Sequence, residues 1–176
     1  MDNFKGPRIP ILFLLHANNN EPINGAIRLQ KMVFILKEEH KISKRTFTSI
    51  IFKPHKFGMY SPKIQDDLMF LKNLNLVEDD STDEFDLDFI ASEEDEIYKP
   101  KKYSLTGQGI TFVKKVISDA MGKDPKTIEA VLKACEEVKS KFNSTDIKDL
   151  LRYVYQKYPK YTVKSEILSK ILGTSK

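Results

Sequence analysis

The sequence has one cysteine, Cys135, among 176 residues. A lone thiol cannot build a disulfide framework or a cysteine-based zinc site. Long apolar runs are also missing. The longest wholly apolar stretches are five residues, 11–15 and 32–36. A membrane-spanning helix needs about 20 such residues, so neither stretch crosses a bilayer. The first stretch, which follows Lys5 and Arg8, is too short for a signal-peptide core, and no small-residue cleavage site comes after it. A soluble, cytoplasmic protein is expected. Tandem repeats and a Gly- or Pro-rich linker are absent. His16, His40 and His55 stand in unlike contexts, with no HExxH pair between them. Gly107-Gln108-Gly109 lacks the length of a phosphate-binding loop. With these gaps, neither an enzyme nor a cofactor or metal site is expected.

Charge is present, and it is unevenly spread. The net charge is +4, from 29 Lys and Arg against 25 Asp and Glu. Residues 1–63 carry eleven basic and four acidic side chains, residues 64–98 one and thirteen, and residues 99–176 seventeen and eight. Two basic regions therefore flank an acidic one. The segment 78–96 holds eleven acidic residues and no basic one. A hydrophobic fraction of 40% is enough for a core, and the length suits one domain or a small domain with an appendage.

Periodicity sets the element order. A short helix opens near Pro10, and residues 18–22, rich in Asn, read as a turn. A second helix spans about 25–39, with Leu29, Met32, Val33 and Leu36 at helical spacing. Phe34 and Ile35 widen that face until little polar surface remains. Residues 47–52 read as a strand and 53–58 as a turn. Ser61-Pro62 has a cap and a proline in the preferred places for a helix start. Leu76-Val77 begins a strand, and 97–105 reads as its return. Thr106 caps a helix that stops at Gly122, Asp124-Pro125 starts another, and Ser144 is expected to cap a third, which Pro159 ends. A final helix is expected over 165–172. The order helix, helix, strand, helix, strand, strand within about 100 residues suggests a helix-turn-helix with a β-wing. The expected class is α+β, mostly α: a winged helix over 1–122 with an acidic wing at 78–98, and a helical extension over 123–176 for packing or homodimerisation.

Three motifs fit this frame: Leu29-Gln30-Lys31 opening the apolar helix, Phe57-Gly58-Met59-Tyr60-Ser61 opening the next, and Tyr103-Ser104-Leu105-Thr106-Gly107 after the hairpin. Together they resemble winged-helix proteins of archaea and bacteria with an LQK…YGPYS…YxLTxxG pattern. More distantly, they are similar to the Panacea domain of antitoxins related to SocA. The resemblance covers most of residues 10–110 and touches 144–166. It departs at Met59, where the pattern has Pro. It implies a winged-helix fold, and a role as a regulator, an antitoxin or an interaction module.

The expected function is a DNA-binding regulator, with a protein-interaction module that uses the acidic segment as the alternative; in the regulator the Ser61 helix is the recognition helix, with Ser61, Lys63 and Gln65 toward base edges. Lys53, His55 and Lys56 lie just upstream, where phosphate contacts are expected. Arg28, Lys31, Lys99, Lys101 and Lys102 extend the same surface. The alternative is that these lysines are a solvated face. Asp66 and Asp67, one turn into that helix, oppose double-stranded DNA unless they point inward or pair with basic neighbours. The acidic segment, through Glu78, Asp79, Asp80, Asp83, Glu84, Asp86 and Asp88, is instead suited to a protein partner. Phe85 to Phe89 alternates apolar and acidic residues. It lacks the central Gly and the spacing of an EF-hand. The tyrosines Tyr153, Tyr155, Tyr158 and Tyr161 either stack on bases or pack in a core or dimer interface, and packing is the favoured reading.

Overall fold

The computed structural model describes residues 8–40, 50–80 and 101–173. Helix α1 (Arg8–Asn20) leads through β1 (Ile23–Asn24) into α2 (Ala26–Glu39). A hairpin, β2 (Lys53–His55) and β3 (Gly58–Tyr60), precedes α3 (Pro62–Asn73). Strands β4 (Val77–Asp79) and β5 (Lys102–Leu105) come next. The chain ends in α4 (Gly107–Met121), α5 (Pro125–Phe142), α6 (Ile147–Lys157), a 3-10 turn (Pro159–Tyr161) and α7 (Leu168–Leu172). The class is α+β and mostly helical.

The sheets are small. One is antiparallel in the order β1-β5-β4, with Ile23 opposite Tyr103 and Val77 opposite Leu105. The other is the β2–β3 hairpin, with Pro54 opposite Met59. The segment 53–58, expected to be a turn, is therefore mostly this hairpin. Gly58, at φ +81°, adopts the left-handed conformation that brings the chain back. Its Cα also faces the Tyr155 ring, where a Cβ would come within 2.5 Å of Cε1. Of the strand expected at 47–52, residues 50–52 have no regular structure, and 47–49 lie outside the described residues.

Helix α1 is the centre of the core. Its apolar run Ile11, Leu12, Phe13, Leu14 and Leu15 is buried on every side. That follows because α3, α4, α5 and β5 all pack against it. A helix apolar all round needs such enclosure. The chain leaves α1 through Asn18, Asn19 and Asn20, all in the left-handed region, which asparagine tolerates better than most residues. Helix α2 packs on α5 and α6. Val131, Cys135, Val138, Leu150 and Val154 thus join the same core as Leu29 and Leu36. Residues 123–173 pack back on the first half of the chain.

Capping follows the sequence at Thr106 and Asp124 and departs from it at Ser144 and Ser61. Thr106 accepts from the Gly109 amide at 2.9 Å, and Asp124 accepts from the Thr127 amide at 3.2 Å. The cap of α6 is Asp146, which accepts from Lys148 N at 2.8 Å, where Ser144 was expected. The last helix is shorter than expected and starts at Leu168.

Gly109 fixes the joint between α4 and the sheet. A Cβ there would stand 1.9 Å from the Leu76 carbonyl oxygen, which already accepts from Thr106 N at 3.2 Å. Neither group can move without breaking the β4–β5 register. Gly109→Ala is expected to destabilise the protein by about 2 kcal/mol or more. Urea denaturation checks this, and a loss under about 0.5 kcal/mol, the usual range for surface changes, contradicts it.

Candidate functional site

The residues of the expected DNA surface divide into two groups. Arg28, Lys31, Ser61 and Lys101 are buried, whereas Lys53, His55 and Lys102 are exposed and Lys56, Lys63 and Gln65 are half-buried. Lys99 lies outside the described residues, as do Asp83, Glu84, Asp86 and Asp88. Glu78 and Asp80 are exposed, and Asp79 is half-buried in an ion pair with Lys72.

The buried group does structural work that the three motifs had concealed. Gln30 clamps the backbone of Ser61 in both directions. Its Nε2 donates to Ser61 O at 3.0 Å, and its Oε1 accepts from Ser61 N at 3.1 Å. The side-chain amide stands in for a neighbouring strand. Lys31 donates to Met59 O at 2.8 Å. The Leu29-Gln30-Lys31 motif and the Gly58–Ser61 segment are therefore two halves of one latch. The Ser61 hydroxyl is buried and makes no cap, contrary to expectation. Arg28 donates to Asn24 O, to Phe142 O, and to Thr145 O at 2.7 Å, so it ties the α5–α6 connection to α2. A phosphate cannot reach Arg28 or Lys31 in this fold.

These cations are held without buried carboxylates beside them. Burial lowers the Lys31 ammonium pKa to about 7. It also lowers that of Arg28, with Asp146 working in the opposite direction. Lys139, which the sequence reading did not single out, behaves alike. It is fully buried and donates to Leu15 O at 3.2 Å and Ala17 O at 2.9 Å, closing the end of α1. Burial takes its pKa to about 8, against the raising effect of Glu21 and Glu136. Its sequence signal was its place four residues after Cys135, on the apolar stripe of α5.

Helix α3 presents a different surface from the one expected. Asp67 turns inward and is almost fully buried, bonded by Arg8 at 2.8 Å and Lys63 at 2.7 Å. Lys63 is thereby engaged within its own helix. The outward positions of α3 are Pro62, Asp66, Met69 and Asn73, all exposed and all on one face by their spacing. Met69 is 58% exposed, and Leu74, at the helix end, is 40% exposed. Such a face carries an apolar centre and a carboxylate rather than cations.

Two other features complete the surface. A groove of about 500 Å³ runs between α1 and α4, lined by Ile9, Phe112, Val116 and Ala120 with Lys115, Asp119 and Lys123. Its lining holds no nucleophile–base pair. Among the described residues no cluster of His, Cys, Asp or Glu has metal-ligand geometry, and no helix is long and apolar enough to cross a membrane. Cys135 is buried, and burial pushes its thiol pKa well up, which leaves it unreactive.

The Lys31 latch makes a pH-dependent prediction. In the folded chain Lys31 loses its proton near pH 7, and in the unfolded chain near its ordinary 10.5. Between those values the unfolded chain binds more protons, so stability rises with pH across the window. Below about pH 7 the cost of a buried charge is fully present. The stability of the natural protein, measured by urea denaturation against Lys31→Met, is therefore expected to improve from about pH 7 to about pH 10. A difference that stays flat over that window contradicts the buried ammonium. Lys139 titrates in both proteins and cancels.

No protein-family model matches the chain, and no curated protein matches it, so the reading of these surfaces rests on their own chemistry.

Proposed function

We propose that this chain is a winged-helix protein-interaction module, and that the outer face of α3 meets a protein partner. Two features support the winged-helix part. The sheet order β1-β5-β4 places the last strand in the middle. Helix α3 lies between α2 and β4 in the chain, the position of a recognition helix, with the β2–β3 hairpin inserted before it.

The interaction part rests on one observation: α3 exposes Met69 where a DNA reader needs cations or amides. Three of the expected cations of that surface are occupied elsewhere, whereas Lys53 and Lys102 are exposed. Lys31 and Arg28 hold backbone carbonyls, and Lys63 holds Asp67. What α3 and the segment after it present outward is apolar at Met69 and Leu74 and acidic at Asp66, Glu78 and Asp80. The complementary partner is a protein surface with an apolar anchor ringed by Lys and Arg.

A transcriptional regulator that reads duplex DNA through α3 is the competing function. A photo-crosslinker placed at position 69 in the full chain, in its native cell, separates the two. The expected product is a discrete protein adduct that resists nuclease and disappears when Asp66 is changed to Lys, because that change reverses the charge beside the anchor. A nuclease-sensitive adduct, or none above the level given by a crosslinker at exposed Thr111 on α4, overturns the proposal.

A further inference from the structure

Four lysines lie over aromatic rings along one unbroken series of contacts. Lys141 Nζ is 4.9 Å from the centre of the Tyr153 ring. Lys157 Nζ is 5.1 Å from that ring and 5.9 Å from Tyr158. Tyr158 meets Phe34 edge-on at 4.9 Å, and Phe34 meets Tyr161 at 5.1 Å and Phe52 at 5.0 Å. Lys160 Nζ is 4.9 Å from Tyr161, and Lys37 Nζ is 5.9 Å from Phe52. The series spans the end of α5, α6, the 3-10 turn and the second half of α2. Lys141, Lys157 and Lys160 are exposed, and Tyr153, Tyr158 and Tyr161 are half-buried.

The carboxylate within this band is already answered. Glu39 accepts from Tyr153 Oη at 2.9 Å, Tyr158 Oη at 3.1 Å and Lys157 Nζ at 2.9 Å. Burial pushes its carboxyl pKa up, but the bonds from Lys157, Tyr153 and Tyr158 outweigh that and hold it ionised. At the border, Glu137 lies 3.7 Å from His40 and 3.9 Å from Lys133. Among the described residues no carboxylate pairs with Lys141 or Lys160. The band therefore carries a net positive charge on ammoniums that rings already hold in place.

We propose that this lysine–aromatic band binds single-stranded nucleic acid. Lys141 and Lys160 face phosphates, Lys157 stays between Glu39 and the Tyr153 hydroxyl, and the half-buried Tyr153 and Tyr161 rings supply the aromatic surface beside them. A cationic track with interleaved rings is the chemistry that takes an unpaired strand without regard to sequence. Side chains already ordered by their rings lose less freedom on binding than free lysines do. The site is built from α2, α5, α6 and the 3-10 turn, so it stands independently of the α3 face.

Fluorescence anisotropy on the full chain tests this, with a labelled oligothymidine of about 20 nucleotides and a duplex of equal length. The expected result is binding of the single strand at about 50 mM salt that weakens steeply by about 200 mM. Lys141→Glu with Lys160→Glu changes two exposed residues outside any ion pair, so the fold is retained, as circular dichroism verifies. That variant is expected to weaken binding at least tenfold and to flatten the slope of log K against log salt by about 1.4. Met69→Asp is expected to leave both unchanged, which keeps this test separate from that of the α3 face. Absence of binding at low salt, equal affinity of the double variant, or preference for the duplex overturns the proposal.

Discussion

Carbonyl oxygens inside this protein are answered by cations. Lys139 closes the end of α1 through Leu15 O and Ala17 O, and Arg28 gathers Phe142 O and Thr145 O at the end of α5. Lys31 takes Met59 O, and Lys37 takes Ile50 O at 2.6 Å. Helix C-termini leave up to four carbonyls without intrahelical partners, and a cation there also meets the negative end of the dipole. The usual solution is a glycine in the left-handed conformation. This chain has seven glycines and closes α1 with a buried lysine. An unpaired buried ammonium is costly. The fold accepts that cost because each such lysine reaches a carbonyl that packing has already removed from water. Depressed pKa values follow at Lys31 and Lys139, since a neutral amine donates to a carbonyl without carrying charge into the core.

The same constraint explains why the charge pattern of the sequence misleads. The first 63 residues carry eleven basic side chains, yet Arg28 and Lys31 are inside, and Arg8 and Lys63 converge on buried Asp67. A count of cations along the chain cannot separate those that face water from those that hold the interior. Most of the exposed lysines lie later in the chain, on β5 at Lys102 and on the helices that follow, Lys141, Lys157 and Lys160 among them. The expected phosphate surface around α3 is correspondingly poor in free cations, and its centre is Met69.

Much of the fold was legible because it depends on local rules. The stripes of α2 and α5 follow helical spacing, and the Thr106 and Asp124 caps have short hydroxyl or carboxylate side chains three residues before the amides they accept from. The hairpin at 53–60 was less legible. It contains Pro54 and almost no β-branched residue, and it exists because Tyr155 and the Lys31 latch hold its returning strand. The site residues were least legible. Arg28 and Lys31 are expected on the DNA-facing surface, as polar residues on an amphipathic helix project outward, yet both are inside. A sign to the contrary was in the sequence: Phe34 and Ile35 leave α2 almost no polar side, and a helix apolar all round is enclosed. Polar residues at its start then have to find partners within the protein.

The motifs that carry the family resemblance can be weighed on this ground. Gln30 and Lys31 bind the backbone of Ser61 and Met59, not their side chains. The latch therefore tolerates any residue at position 59 that permits the hairpin, and Met59 in place of Pro leaves its carbonyl where Lys31 needs it. In this chain the LQK and GxYS pair is a way of joining α2 to the start of α3. It does not report a ligand, because every group in the latch is turned inward. The outward face of α3 and the exposed lysines near α6 lie outside the latch, so the latch does not fix the choice of residue there. In this chain those two places carry a methionine beside carboxylates, and lysines laid over tyrosines.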